Sequence, residues 1–260
     1  MAKQETERQA GASTEGGDGV TQRGCLRRGC GGLLGRGLLI ALALLLLFAG
    51  WEWLTWPDVA GLAEARPEST AFIDDARDEA DDGQVAWTWV SYGAISPHLK
   101  RAVLVSEDIG FFDHDGFEDA EIETALREAW EKKRLPRGAS TLTQQMAKNL
   151  YLSPSINPWR KVKEAMLTRE LEEHLSKRRI FEIYLNVAQF GPDVFGAEAA
   201  ARRYFGKSAA ALSEAEAAQL AASLPRPRTW HPGVTDGRYR WKINLIRQRM
   251  NDAGWLWKVI

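Results

Sequence analysis

The sequence has little cysteine, and that alone excludes whole classes of protein. Two Cys in 260 residues, Cys25 and Cys30, lie close together in a Gly/Arg-rich stretch. They cannot build a disulfide scaffold, and their spacing forms no metal-ligand pattern. Charge of one sign is also missing overall, with 34 Lys+Arg against 35 Asp+Glu. Four familiar signatures are absent: HExxH, GxSxG, GxxxxGK[ST], and SxxK with a downstream KTG. Their absence removes zinc proteases, α/β-hydrolase serine enzymes, P-loop nucleotidases and penicillin-binding serine acyltransferases. No internal repeat is present. A composition of 45% hydrophobic and 27% charged residues excludes chain-wide disorder and collagen-like or coiled-coil architecture. The remaining chemistry is that of carboxylates, amides and cations, a set suited to acid/base work on sugars or phosphates.

Long hydrophobic runs are scarce too, with one exception. Residues 37–56 read GLLIALALLLLFAGWEWLTW, with Glu52 the one charge. Twenty helical residues span roughly 30 Å, the thickness of a bilayer's hydrocarbon core. Arg23, Arg27, Arg28 and Arg36 precede the run. The positive-inside rule therefore places residues 1–36 in the cytoplasm and the bulk of the chain outside. Trp51, Trp53 and Trp56 suit the far interface. The competing reading is a cleaved signal peptide, but Ala63-Glu64-Ala65 lies far beyond the apolar run. Either reading exports the rest.

Residues 1–36 read as a disordered cytoplasmic tail, 37–56 as a transmembrane helix, 57–84 as an acidic linker and 85–260 as one domain. Within the linker, residues 64–82 carry eight acids and two Arg, the pattern of a solvated linker or short surface helix. Gln84–Tyr92 alternates apolar and polar residues and predicts a strand. Beyond Pro97 the periodicity predicts helices near 97–107, 118–133, 140–151, 158–175, 177–189, 195–204, 213–223 and 238–252. The domain is thus mainly α. Residues 131–180 hold twelve Lys/Arg and five Glu, an excess of seven that favours an anionic partner such as phosphate or lipid headgroups. The alternative is that these charges solvate helix faces. Nucleic acid is not expected outside the membrane.

Four stretches could carry chemistry. Glu107 and Asp108 sit at a predicted helix C-terminus, where the dipole disfavours acids, beside Phe111, Phe112 and His114. An aromatic pair can desolvate a carboxylate toward the range of a general base. In Gly138–Asn149, Thr141 and Gln144 can form a capping box, and Thr141, Gln145 and Lys148 then share one helix face. Such a row at a helix start can hold phosphate or sugar hydroxyls. In Arg160-Lys161-Val162-Lys163-Glu164, Glu164 falls on the packed face with Leu167, Thr168 and Leu171, where an unpaired carboxylate is costly. In Lys177–Asn186, Ile180, Ile183, Tyr184 and Val187 make a core stripe. Glu182, Asn186 and Gln189 beside it read as scaffold hydrogen-bonding groups. His98, His174 and His231 read as ordinary surface histidines.

In this order the motifs resemble those of glycosyltransferase family 51, the peptidoglycan glycosyltransferases. The pattern E-D-x-x-F-x-x-H-x-G is matched by Glu107, Asp108, Phe111, His114 and Gly116. G-x-S-T-x-T-Q-Q with a following K-N is matched from Gly138 to Asn149. R-K-x-x-E is matched by Arg160, Lys161 and Glu164, and K-x-x-I-x-E-x-Y-L-N by Lys177 through Asn186. Gly196–Lys207 resembles the fifth motif. Phe181, Gln189 and Leu224–Pro227 depart from the usual residues without touching the implied chemistry. The short anchor and the end at Ile260 resemble the monofunctional members, which lack a transpeptidase domain.

The resemblance implies a lysozyme-like lobe with a small membrane-dipping lobe, and polymerisation of lipid II into β-1,4 glycan strands with release of undecaprenyl pyrophosphate. It makes Glu107 the general base and Glu164 the second essential carboxylate. Lys148 and Arg160 would hold the pyrophosphate. Asp108, Phe111, His114, Ser140, Thr141, Gln144, Gln145, Asn149 and Lys161 would line the substrate site. Lipid II, the growing lipid-linked glycan, membrane lipids and other cell-wall synthesis or division proteins are the implied partners. The implied location is the inner membrane, with the catalytic domain periplasmic. No cofactor is implied beyond a divalent cation, Mg or Mn, that could assist the pyrophosphate. A hydrolase of finished glycan and a non-catalytic scaffold remain the competing readings.

Overall fold

The structure, a computed structural model, describes residues 29–118, 140–153 and 157–260. The tail before residue 29, the helix expected over 118–133 (beyond Glu118) and Gly138-Ala139 of the second motif lie outside them. The chain forms two compact units, Met1–Trp56 and Pro57–Ile260.

In the first unit, helix α1 spans Gly29–Leu54. From Arg36 to Leu54 it is long and apolar enough to cross a membrane. Leu38, Leu39, Leu45 and Leu46 are all exposed on it. A helix apolar on every side has no polar face to give to water.

The second unit is mainly helical. Its elements are α2 (Ala71–Glu79), β1 (Ala86–Trp87), α3 (Pro97–Glu107), α4 (Leu142–Tyr151), α5 (Pro158–His174), α6 (Lys177–Val187), β2 (Gln189–Gly191), β3 (Val194–Phe195), α7 (Ala197–Phe205), α8 (Glu214–Ser223) and α9 (Gly237–Asp252). Most starts carry a capping side chain: Thr70, Ser96, Thr141, Asn157, Ser176, Ser213 and Asp236 each accept a backbone N–H from the first turn. Thr141 with Gln144, and Ser213 with Glu216, close full capping boxes. One helical group packs α3 against α8 and α9; another packs α4 against α5 and α6. Leu99, Val103, Leu142, Met146, Leu167, Ile180, Ile183 and Phe190 are among the buried core residues.

Three expectations need correction. The segment 64–82, expected to be a solvated linker or a short surface helix, holds a helix that is packed into the domain rather than lying free on it. Thr70 caps α2, whose Ile73 and Ala76 are buried against Phe195. Its acids occupy the outer face, so the acidic composition hid an apolar stripe. The strand expected over Gln84–Tyr92 pairs only at Ala86–Trp87, parallel to β3, which pairs antiparallel with β2. Beyond Trp87 side chains of α6 take over the pairing. The Asn186 amide accepts the Val90 N–H and donates to the Val90 carbonyl, both at 2.9 Å, and Glu182 accepts the Tyr92 N–H at 2.9 Å. The polar row of α6 is therefore a surrogate strand edge. His98 and His231 are partly buried rather than free on the surface: His98 meets Trp257 edge-on, and His231 stacks on Tyr204.

Candidate active site

Asp108 explains the acids at the end of α3. It caps that helix, yet its carboxylate reaches the start of α4, where Oδ2 accepts the Leu142 N–H at 2.9 Å. A negative charge is favoured at a helix N-terminus. His114 donates from Nε2 to the same carboxylate at 3.0 Å, and its Nδ1 accepts the Gly116 N–H at 3.1 Å. The hydrogen bond to Asp108 raises the imidazole pKa from its ordinary value of 6.5. Gly116, at φ +84°, passes so close to α5 that a Cβ there would stand 2.9 Å from Thr168 and Glu172 side-chain atoms. Its carbonyl accepts the Thr141 hydroxyl at 2.7 Å. Asp108, His114, Gly116 and Thr141 thus lock the first two motifs together.

Several residues that the resemblance places around the substrate are consumed by this lock. Asp108, Thr141 and Gln144 are buried and internally bonded, and Phe111 is fully buried against Phe112, His114 and Phe181. They frame the site and present little surface to a ligand. The Phe111–Phe112 pair packs into the core with Phe181.

The half-buried groups face one another across α3 and α4. Glu107 accepts the Ser106 hydroxyl at 2.7 Å and the Gln145 amide at 3.3 Å. Gln145 is itself oriented: the Tyr184 hydroxyl donates to its Oε1 at 3.0 Å, leaving the NH2 end for Glu107 and the Ser140 carbonyl. Burial pushes the Tyr184 phenol well up, so it stays a donor. Ser140, Gln145, Lys148 and Asn149 all remain partly accessible. Lys148 interacts electrostatically with Glu164, Arg160, Lys161 and Glu107, and burial lowers its pKa from 10.5.

Glu164 is 3% exposed on α5. Arg160 pairs with it at 3.3 Å, and Lys161 pairs with its other oxygen. A buried carboxylate so compensated avoids the penalty of an unpaired charge. The Lys161 side chain remains 57% exposed, and the Nε of Arg160 is buried without a hydrogen-bond partner among the described residues. Behind them, Glu172 joins Thr143 at 2.5 Å and Lys177 at 2.8 Å.

Sequence reasoning missed two contributors. Tyr184 was legible as core stripe but not as the group that orients Gln145. Lys242, on α9, donates to the Ser106 carbonyl at 3.4 Å and interacts with Glu107, while burial lowers its pKa. No local signal marks it, because its partner lies 136 residues away in the chain. Among the described residues no group of three His, Cys, Asp or Glu side chains is placed to hold a metal ion.

Two carboxylates stand about a cationic cluster, one of them held by an oriented amide. The comparisons with known proteins supply the class of the chain. The transglycosylase family profile matches residues 77–251. A biosynthetic peptidoglycan transglycosylase of Azoarcus sp. (strain BH72) is 49% identical over 201 residues, covering 76% of this chain and 86% of the relative. Those of Laribacter hongkongensis and Methylobacillus flagellatus are 43% and 46% identical, covering 83% and 85% of this chain and 95% and 97% of the relatives. The chain belongs to the peptidoglycan transglycosylase family and is a glycosyltransferase.

Proposed function

We propose that this enzyme polymerises lipid II into β-1,4-linked glycan strands, releasing undecaprenyl pyrophosphate, and carries no transpeptidase activity. The observation that carries the reading is the position of Lys148, coupled to both Glu107 and Glu164 together with Arg160 and Lys161. Glu107 takes the proton from the 4-hydroxyl of the acceptor sugar. That oxygen attacks C1 of the donor sugar, a new C1–O bond forms with inversion, and the C1–O bond to pyrophosphate breaks. The leaving group departs as an anion, so it needs cations rather than a proton donor. Lys148, Arg160 and Lys161 supply them, and Glu164 keeps Arg160 and Lys161 in place. Asn149 and Ser140 lie beside Lys148 and Gln145 for contacts to the sugars. A divalent ion, Mg or Mn, would supply further charge neutralisation at the pyrophosphate.

The α1 helix anchors the enzyme in the inner membrane as a single span, with the N-terminus cytoplasmic and the catalytic unit periplasmic. Exposed Ile109, Trp159, Val162 and Met166 in the catalytic unit suit contact with a lipid surface.

The test is incubation of the detergent-solubilised chain with labelled lipid II, with and without Mg or Mn, resolving products by length before and after muramidase. A muramidase-sensitive ladder is expected. Glu107→Gln should retain lipid II binding and lose turnover by about 10²–10⁴-fold. Full turnover by that variant would sink the assignment. Cleavage of finished cell wall without lipid II would favour a hydrolase.

A further inference from the structure

A cavity of about 680 Å³ is lined by Ala65, Arg66, Pro67, Glu68, Trp87 and Trp89. None of these residues belongs to the carboxylate and cation cluster. Its volume falls in the range of about 300–1,000 Å³ usual for small-ligand pockets.

The cavity is built on fixed parts. The Trp87 indole N–H donates to the Asn186 carbonyl at 2.8 Å, and its backbone pairs with Phe195 in the sheet. The guanidinium of Arg179 lies 5.6 Å from the Trp89 ring centroid. The same guanidinium donates to the Leu62 carbonyl at 2.8 Å and the Ala65 carbonyl at 2.7 Å, and pairs with Glu182 at 2.8 Å. One side chain of α6 thus holds both walls, the indole and the 62–65 segment. On the rim, Arg66 and Glu68 are exposed and make no hydrogen bond or ion pair among the described residues.

Flat, half-buried indoles stack on the C–H faces of pyranose rings. An unengaged guanidinium takes a carboxylate, and an unengaged carboxylate takes an ammonium or amide N–H. We infer that this cavity binds a segment of saccharide carrying a peptide with both charges, a stretch of the glycan polymer lying outside the catalytic site. The inference rests on the peptidoglycan reading of the function.

The experiment is calorimetric titration of the full chain in detergent. The probes are a soluble disaccharide–peptide fragment of peptidoglycan, a peptide-free N-acetylglucosamine tetramer and the free peptide. Lipid II polymerisation is measured on the same preparations. The fragment should bind the wild type and Glu107→Gln equally. Trp89→Ala should weaken it at least tenfold while leaving the enzyme able to polymerise. Arg66→Ala, at an exposed position that does not threaten folding, should weaken the fragment but not the tetramer.

No saturable binding by the wild type, or fragment binding unchanged in both Trp89→Ala and Arg66→Ala, would overturn the inference. Polymerisation without fragment binding refutes the cavity alone. Fragment binding without polymerisation refutes the catalytic reading and leaves the cavity standing.

Discussion

Lys148 carries its charge in a partly buried position between two carboxylates and two other cations. Burial lowers its pKa and the carboxylates of Glu164 and Glu107 work against that fall. The sign follows: Lys148 loses its proton at a lower pH than an ordinary lysine at 10.5. If its charge holds the leaving pyrophosphate, the alkaline limb of kcat/KM should lie below that value. Lys148→Arg, charged at every accessible pH, should move the limb upward. A limb that stays in place would assign it to another group. At this scale the motif residues were legible because their chemistry is local: Thr141 and Gln144 cap, and Glu164 sits on a packed face beside its own i−4 and i−3 cations. Lys242 and the orienting role of Tyr184 were not legible, since each depends on a partner brought close by folding alone.

Among the elements, α6 does more than its hydrophobic stripe announces. Asn186 and Glu182 complete the backbone hydrogen bonding of residues 90–92, Arg179 ties down the 62–65 segment, and Tyr184 orients Gln145. Asn186→Ala would strand the half-buried Val90 groups, and a loss of about 1 kcal/mol is expected. Chemical denaturation measures it. An unchanged midpoint would mean that water replaces the amide. Among the described residues, the helices of the catalytic unit other than α2 were visible in the sequence at nearly their observed limits, because apolar spacing and capping residues are both local signals, whereas α1 starts eight residues before the expected Gly37. The sheet was not visible. Its strands are two or three residues long, too short for an alternation to register, and the β1–β3 pairing joins residues about a hundred positions apart. The α2 stripe was missed for a different reason: two buried residues in nine were outweighed by the acids around them.

For the whole molecule, the decisive division is between α1 and the catalytic unit. The full chain should remain in the membrane pellet after an alkaline carbonate wash, whereas a chain lacking Met1–Trp56 should be extracted. Retention of the shortened chain would show that Trp159, Val162, Met166 and their neighbours hold the membrane unaided. The sequence as a whole is balanced in charge, but residues 131–180 carry an excess of seven positive charges, of which the described Lys148, Arg160 and Lys161 interact with Glu164.

The sequence by itself determined a helix long and apolar enough to cross a membrane, the mainly helical class and the order of the motifs. These follow from composition, period and spacing, which need no partner. Tertiary structure decided which motif residues face outward and which are spent inside: Asp108 and Thr141 bind the motifs to one another, while Glu107, Gln145, Lys148 and Arg160 remain within reach of a ligand. It also brought Lys242 to Glu107 and set Arg179 against Trp89 and the 62–65 segment. The physical reason is common to all of these. A hydrogen bond or ion pair between distant residues is fixed by how helices pack, and packing is a property of the assembled core rather than of any segment in it.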